Sequence, residues 1–233
     1  MIPATDVGWQ RGWTVFETLR VVDGGIPLLE EHVERLAKSA EAMRIRLADG
    51  IADEARQLAG LASGESRIRI TVSGTGHRVL TIEPVPPDRR GAPIRAATGP
   101  WVADPFLAGS VKHGSRAGWV VAVLKAGVDE VLLVDGDGRF TEGTTSGILA
   151  VVDGRIHTAP HDDRILQSTT VCDALRVAEQ LGFAVVREGA LAGGPFDALY
   201  IASATRGLSP VVELDGRPLP AWDPVGRAVF EAM

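Results

Sequence analysis

The chain carries a single cysteine, Cys172, among 233 residues, so an intramolecular disulfide is impossible and a zinc cluster built on thiolates is excluded. Long hydrophobic runs are also missing. The most apolar stretches, such as Trp119 to Leu124, fall far short of a membrane span. The opening residues Met1-Ile2-Pro3-Ala4-Thr5-Asp6 show no basic region followed by an apolar one, so no secretion signal is expected. Positive charge is scarce: 24 lysines and arginines face 30 acids, a formal net charge of −6, and no basic block could follow a phosphate backbone. Nucleic acid and membrane are therefore not expected partners. The 45% hydrophobic content fits a globular protein of a reducing cytoplasm, long enough for one large domain or two modest ones.

What is present reads as α+β. Thr14 to Val22 is rich in β-branched and aromatic residues and ends at Asp23-Gly24-Gly25, a strand entering a turn. Leu29, Val33, Leu36, Ala40 and Met43 recur at spacings of three and four, which predicts a helix over Leu28 to Ile45; Asp53 to Ala62 gives a weaker one. Ser66 to Ser73 alternates, and Arg78 to Glu83 pairs back on it as a hairpin. Between Pro84 and Pro105 lie Pro86-Pro87, Gly91, Pro93 and Gly99-Pro100, the densest breaker region, so an N-terminal domain is expected over 1–99, a linker over 100–110 and a second domain over 111–233. The second half is strand-dominated, with helices over Arg116 to Ala126 and Thr169 to Leu181, strands over Glu130 to Val134 and Ala198 to Ala202, and a last hairpin at Asp215-Gly216.

Two charged residues stand out. Lys112 sits among small and apolar neighbours in Leu107-Ala108-Gly109-Ser110-Val111-Lys112-His113, where partial desolvation would lower its pKa and supply a free amine for Schiff-base chemistry. Glu142, in Thr141-Glu142-Gly143-Thr144-Thr145-Ser146, could keep a pyridine nitrogen protonated. By themselves such residues are as a rule solvated. His113 and His161 read as solvated or structural because no second ligand sits at a metal-like spacing, and Cys172 reads as core.

Taken in order, Phe16-Glu17-Thr18, His32-Val33-Glu34-Arg35-Leu36, Lys112, the Glu142 segment, Ile165-Leu166 and Ser209-Pro210-Val211 resemble the class IV aminotransferase family of fold-type IV pyridoxal-phosphate enzymes over nearly the whole chain. The resemblance implies a branched-chain-aminotransferase-like architecture: a small α+β N-terminal domain, a β-rich pseudo-barrel C-terminal domain, pyridoxal 5′-phosphate in the cleft between them, and a homodimer. It further implies that Lys112 forms the Schiff base and shuttles protons, that Glu142 meets the pyridine nitrogen, and that Arg35, Thr170, Thr169 and Thr205 serve the phosphate. Thr18 is implied as a proton relay beside the lysine, and Arg78 as a substrate-carboxylate partner.

Several positions depart from the family pattern. Arg11-Gly12-Trp13-Thr14 replaces Tyr-Gly-Asp-Gly, Ser146-Gly147-Ile148 replaces Ser-Asn-Ile, Val171 replaces an arginine after Thr170, and the usual first strand has no counterpart. Pro105-Phe106-Leu107-Ala108-Gly109 ahead of Val111-Lys112-His113 looks most like aminodeoxychorismate lyase, so the expected reaction is cleavage of 4-amino-4-deoxychorismate to 4-aminobenzoate and pyruvate in folate synthesis. Transamination of a branched-chain or D-amino acid is the alternative, using the same lysine on another small-molecule substrate. The altered positions motivate a third reading, a non-catalytic dimeric binding module.

Overall fold

The computed structural model describes residues 2–86 and 88–233; Met1, and Pro87 of the breaker stretch, lie outside the described residues. The chain divides into two compact units, one of Met1–Arg89 with Ser110–Arg116, the other of Arg90–Gly109 with Ala117–Met233.

The first unit contains α1 (Val7–Arg11), β1 (Thr14–Val21), α2 (Leu29–Ala42), α3 (Ile51–Ala59), β2 (Ser66–Ser73) and β3 (Arg78–Pro84). The three strands form an antiparallel meander in the order β1-β2-β3, with Thr18 opposite Arg69 and Val72 opposite Arg78. Alternation decides the two faces of this sheet. Val15, Leu19 and Val21 of β1, with Ile68, Ile70 and Val72 of β2, bury against Leu36 and Ala40 of α2 and Ile51, Ala55 and Ala59 of α3 in one apolar cluster. On the other face stand Phe16, Thr18, Arg69, Arg67, Thr81 and Glu83, matched across the strands by the ladder register. Helix α1 has no periodic apolar stripe to announce it; it is nucleated by Asp6, whose carboxylate accepts from the Trp9 N–H at 2.8 Å, and stopped by Gly12 at φ 66.

The second unit contains β4 (Ile94–Pro100), α4 (Ala117–Ala126), β5 (Glu130–Val134), β6 (Phe140–Gly143), β7 (Gly147–Val152), β8 (Arg155–His157), α5 (Thr169–Gln180), β9 (Val185–Val186), β10 (Ala198–Ser203), β11 (Gly207–Leu214), β12 (Arg217–Pro218) and α6 (Pro224–Ala232). Its 9-stranded sheet runs β6-β5-β4-β11-β10-β7-β8-β9, with β12 on β11. Both faces are apolar. Leu149, Val151, Tyr200 and Leu208 pack under α5 and α6, and Ile148, Ala150, Leu199 and Ile201 point to the opposite side with Ile94, Leu132 and Phe140. The sheet must curl: β6 and β7 are five strand spacings apart, about 24 Å in a flat sheet, yet residues 144–146 alone join them, a reach of about 15 Å. The result is a half-barrel. Among the described residues no helix is long and apolar enough to cross a membrane.

These units differ from the boundaries expected at residues 99 and 111. Strand β4, inside the breaker-rich stretch, pairs in parallel with both β5 and β11 and so belongs to the half-barrel. Its Gly99 is required by packing, since a Cβ there would lie 2.8 Å from Val131 Cγ1. Residues 110–116 return to the first unit because they add to the free edge of β1, through an isolated bridge between Val15 and His113.

Leu36 is fully buried in the first core. Replacing it by alanine is expected to lower the stability of that unit by about 2–5 kcal/mol, checked by urea unfolding followed by far-ultraviolet circular dichroism.

Candidate active site

In the first unit the segment around Lys112 is held by backbone bonds. The Phe16 N–H donates to the Lys112 carbonyl at 3.1 Å, the Gly114 N–H donates to the Thr14 carbonyl at 2.8 Å, and the Lys112 N–H donates to Ser39 Oγ on α2 at 3.1 Å. These bonds leave the side chain to the site. Lys112 is half-buried, forms no ion pair among the described residues, and carries its Nζ 4.9 Å from the centroid of the Phe16 ring. Burial strips water from the ammonium, and Arg35, Arg116 and Arg69 repel its charge while Glu17 favours it; the pKa is pushed down to about 7. A fair share of the amine is therefore unprotonated at neutral pH.

Arg35 and Glu17 form a charge-assisted clamp beside it. Arg35 Nε donates to Glu17 Oε1 at 2.7 Å and its Nη2 to Oε2 at 2.8 Å, while His32 Nδ1 lies 2.8 Å from the same Oε2. Burial opposes ionisation of Glu17, but the His32 hydrogen bond and the Arg35 guanidinium outweigh it and hold the carboxyl at about 2. On the open face Arg69 stacks 3.5 Å from the Phe16 centroid and forms no ion pair among the described residues. Burial and Arg67 push its pKa down to about 10, which still leaves it charged. Arg116 adds a second guanidinium 5.4 Å from the same ring. Thr18 lines a small cavity with Arg67, Arg69, Thr81 and Glu83.

Arg78 is placed elsewhere. Its register opposite Val72 turns it to the helix-covered face, where it donates to the Ala48 and Asp49 carbonyls at 2.9 and 3.1 Å and pairs with Glu54. It pins the α2–α3 connection. The arginine that stands on the Phe16 face is Arg69; a strand residue in Arg67-Ile68-Arg69-Ile70 shows its face only once the register is known.

In the second unit Glu142 is buried at the end of β6, and its Oε2 accepts from the Leu166 N–H at 3.2 Å. Glu130 on β5 organises the adjoining turn by accepting from the hydroxyls of Thr144, Thr145 (2.5 Å) and Ser146 (3.1 Å). A run of three hydroxyl residues required a buried acceptor, and that signal could have found Glu130. Beyond Leu166 the chain enters α5, capped by Ser168, whose Oγ accepts from the Val171 N–H at 3.3 Å. Thr169 and Thr170 occupy the buried first turn, where helix N–H groups have no intrahelical acceptor and the helix dipole favours an anion. No acidic side chain stands in that turn to compete.

Gly147 explains one departure from the family pattern. A Cβ there would run into Val171 Cγ2 and come within 3.1 Å of Ser168 Cβ, so the bare backbone lets β7 press against the terminus of α5. Gly147 also pairs with Ala202, which brings the buried Thr205 in the β10–β11 turn to the same end of the sheet. Glu142, Thr169, Thr170 and Thr205 therefore gather at one end of the half-barrel. Cys172 is half-buried on α5, with its Sγ 3.9 Å from His161 Nδ1.

The first unit thus presents an amine with no ion pair among the described residues, set among cations, and the second, by itself, a buried carboxylate and a helix terminus suited to an anion. The description "Amino-transferase class IV" matches residues 14–214, and the chain belongs to that family. A putative branched-chain-amino-acid aminotransferase of Methanocaldococcus jannaschii is 30% identical over 91% of this chain and 82% of its own length. A bifunctional aminodeoxychorismate lyase / D-amino acid transaminase of Mycobacterium tuberculosis is 28% identical over 94% and 88%. The PLP-bound form of a hypothetical aminotransferase from Mycobacterium tuberculosis superposes with a TM-score of 0.85 at 24% identity, over 100% of this chain and 91% of the other. The fold is that of fold-type IV aminotransferases.

In cofactor-free protein, Lys112 labelling by a small neutral amine reagent, followed by peptide mass spectrometry, is expected to rise with a midpoint near pH 7. The sign follows from the lowered pKa: the amine is blocked by its proton below that midpoint and reactive above it. A midpoint near 10 would show an ordinary solvated lysine.

Proposed function

We propose that the protein is a pyridoxal-phosphate-dependent transaminase that moves an amino group between an amino acid and a 2-oxo acid. The observation that carries this reading is Lys112, a half-buried amine with no ion pair among the described residues, set over the Phe16 ring among Arg35, Arg69 and Arg116, where burial and these cations push its pKa down to about 7. Transamination is preferred to the lyase reaction expected from the sequence because relatives along most of the chain are named as branched-chain and D-amino acid aminotransferases.

The residues fit the cofactor. In the second unit the α5 terminus, tightened by the bare Gly147, offers backbone N–H groups with Thr169, Thr170 and Thr205 to a phosphate; in the first unit the Arg35 guanidinium has the fork of donors that suits the same group. The buried Glu142 carboxylate suits a protonated pyridine nitrogen. When bound, pyridoxal 5′-phosphate supplies a pyridinium ring able to store negative charge.

Lys112 then takes a proton from the substrate carbon and returns one to the acceptor carbon, a task that needs a base with a pKa near the working pH. Arg69, charged and stacked on Phe16, receives the substrate carboxylate, and the Phe16 ring supplies an apolar wall. A small amino acid with one carboxylate and a hydrocarbon side chain matches that pair. Helix α4 buries none of its residues and exposes Val120, Val121 and Leu124 by 55%, 46% and 73%, an apolar face suited to a second copy of the chain.

A second reading keeps the lyase reaction, favoured by Thr18 following Glu17 on the Phe16 face and by the bifunctional relative. One experiment separates the readings. Addition of pyridoxal phosphate is expected to produce a visible absorption band that Lys112→Ala abolishes, with turnover of branched-chain or D-amino acids and 2-oxo acids reduced at least about 100-fold in that variant. Arg69→Gln is expected to raise KM for the amino acid roughly tenfold or more. Formation of 4-aminobenzoate from aminodeoxychorismate without transamination would install the second reading, and a protein that stays colourless would sink both. Sedimentation at micromolar concentration is expected to give a dimer, and a monomer would refute the role assigned to α4.

A further inference from the structure

Glu17 occupies a position that alternation assigns to the core. It is fully buried in the middle of β1, with Val15, Leu19 and Val21 on the same face. A carboxylate there is costly unless every lone pair is used. Four contacts answer that cost, one at Oε1 and three at Oε2: Arg35 donates to both oxygens, His32 Nδ1 meets Oε2, and the Thr18 N–H donates to Oε2 at 3.2 Å. A leucine would fill the same volume without this demand.

The clamp lies where Lys112 is docked. Lys112 is bonded through its carbonyl to Phe16, the residue before Glu17, and through its N–H to Ser39, one helical turn beyond Arg35. Tying β1 to α2 therefore fixes both supports of the lysine. A bidentate fork also fixes the plane of the guanidinium, which a single contact leaves free to rotate. The charged groups facing Lys112 are Arg35 of α2, Glu17 of β1, Arg69 of β2 and Arg116 of its own segment, and of these only Glu17 is negative.

We propose that Glu17 is a positioning residue for the amine and phosphate chemistry: it aims Arg35 through the fork, holds the β1–α2 junction on which Lys112 rests, and balances the cations around that amine. The proposal rests on the transaminase reading only in taking Arg35 as a phosphate partner. The same carboxylate fixes the His32 ring, whose Nδ1 meets Oε2 beside Arg35 Nη2, 3.4 Å away.

The test uses the full chain and two substitutions. Glu17→Gln removes the charge and half of the fork; Glu17→Asp keeps the charge but withdraws it by one methylene. In cofactor-free protein, labelling of Lys112 across pH is expected to shift its midpoint downward by roughly half a unit or more in Glu17→Gln, and to stay near the wild-type midpoint in Glu17→Asp. The preference for pyridoxal phosphate over pyridoxal, measured by equilibrium fluorescence titration, is expected to fall roughly tenfold in both variants because Arg35 is no longer aimed. Circular dichroism reports whether each variant folds. A folded Glu17→Gln protein with the wild-type midpoint and the wild-type preference overturns the proposal. If that variant does not fold, Glu17→Asp decides: an unchanged phosphate preference overturns the proposal and a reduced one supports it. A wild-type protein that binds neither pyridoxal form sinks the functional reading instead, while the Lys112 midpoint in the variants still decides the role of Glu17.

Discussion

The two-residue alternation of β1 is the constraint on which the first unit depends. One strand gives its odd positions to the core, its even positions to the open face, and its free edge to the segment bearing Lys112. A lysine on a loop alone would be solvated and fully protonated at neutral pH. Docked by two main-chain bonds to the strand edge and one to the Ser39 hydroxyl of α2, it loses water and meets three guanidiniums. Stability and chemistry use the same backbone here, because the bonds that hold the strand are those that hold the amine.

In the second unit the corresponding constraint is a short connection. Residues 144–146 are too few to cross a flat sheet, so the half-barrel curls around them. Glu130 makes that turn rigid by collecting three hydroxyls, and the rigid turn places Glu142 before it and Gly147 after it. Absence of a side chain at Gly147 then admits the capped end of α5. A position that looked like a loss when set against the family pattern is a fit between strand and helix.

Local signals carried much of this fold into the sequence. The stripe Leu29, Leu36, Ala40 and the hairpins at Gly74-Thr75-Gly76 and Asp215-Gly216 were legible because their partners lie nearby in the chain. Strand β4 was not, since parallel pairing with β5 and β11 leaves no mark within Ile94 to Pro100 beyond ordinary strand residues set among breakers. Site chemistry followed the same division. Lys112 and Glu142 stand out in the sequence as residue types in a setting, whereas the placement of Arg69 and Arg78 needs the register, which sends one guanidinium to Phe16 and the other to Glu54. Glu17 and His32 were visible as letters of a motif, and their partnership with Arg35 appears only when β1 and α2 are packed.

The charge distribution around Lys112 links these points. Burial, joined by the repulsion of three arginines, lowers the pKa of the Lys112 amine. Such a cluster is stable only if its field is partly answered, and the answer comes from a carboxylate held on the core side of β1, with Arg35 and His32 occupying its lone pairs. On the open face the carboxylate of Glu83 is taken up by Arg67, and Arg69 forms no ion pair among the described residues. Glu17, on the opposite face of β1, answers the cations around the amine without occupying Arg69. The alternation of β1 thus separates two electrostatic tasks that a single surface could not perform together.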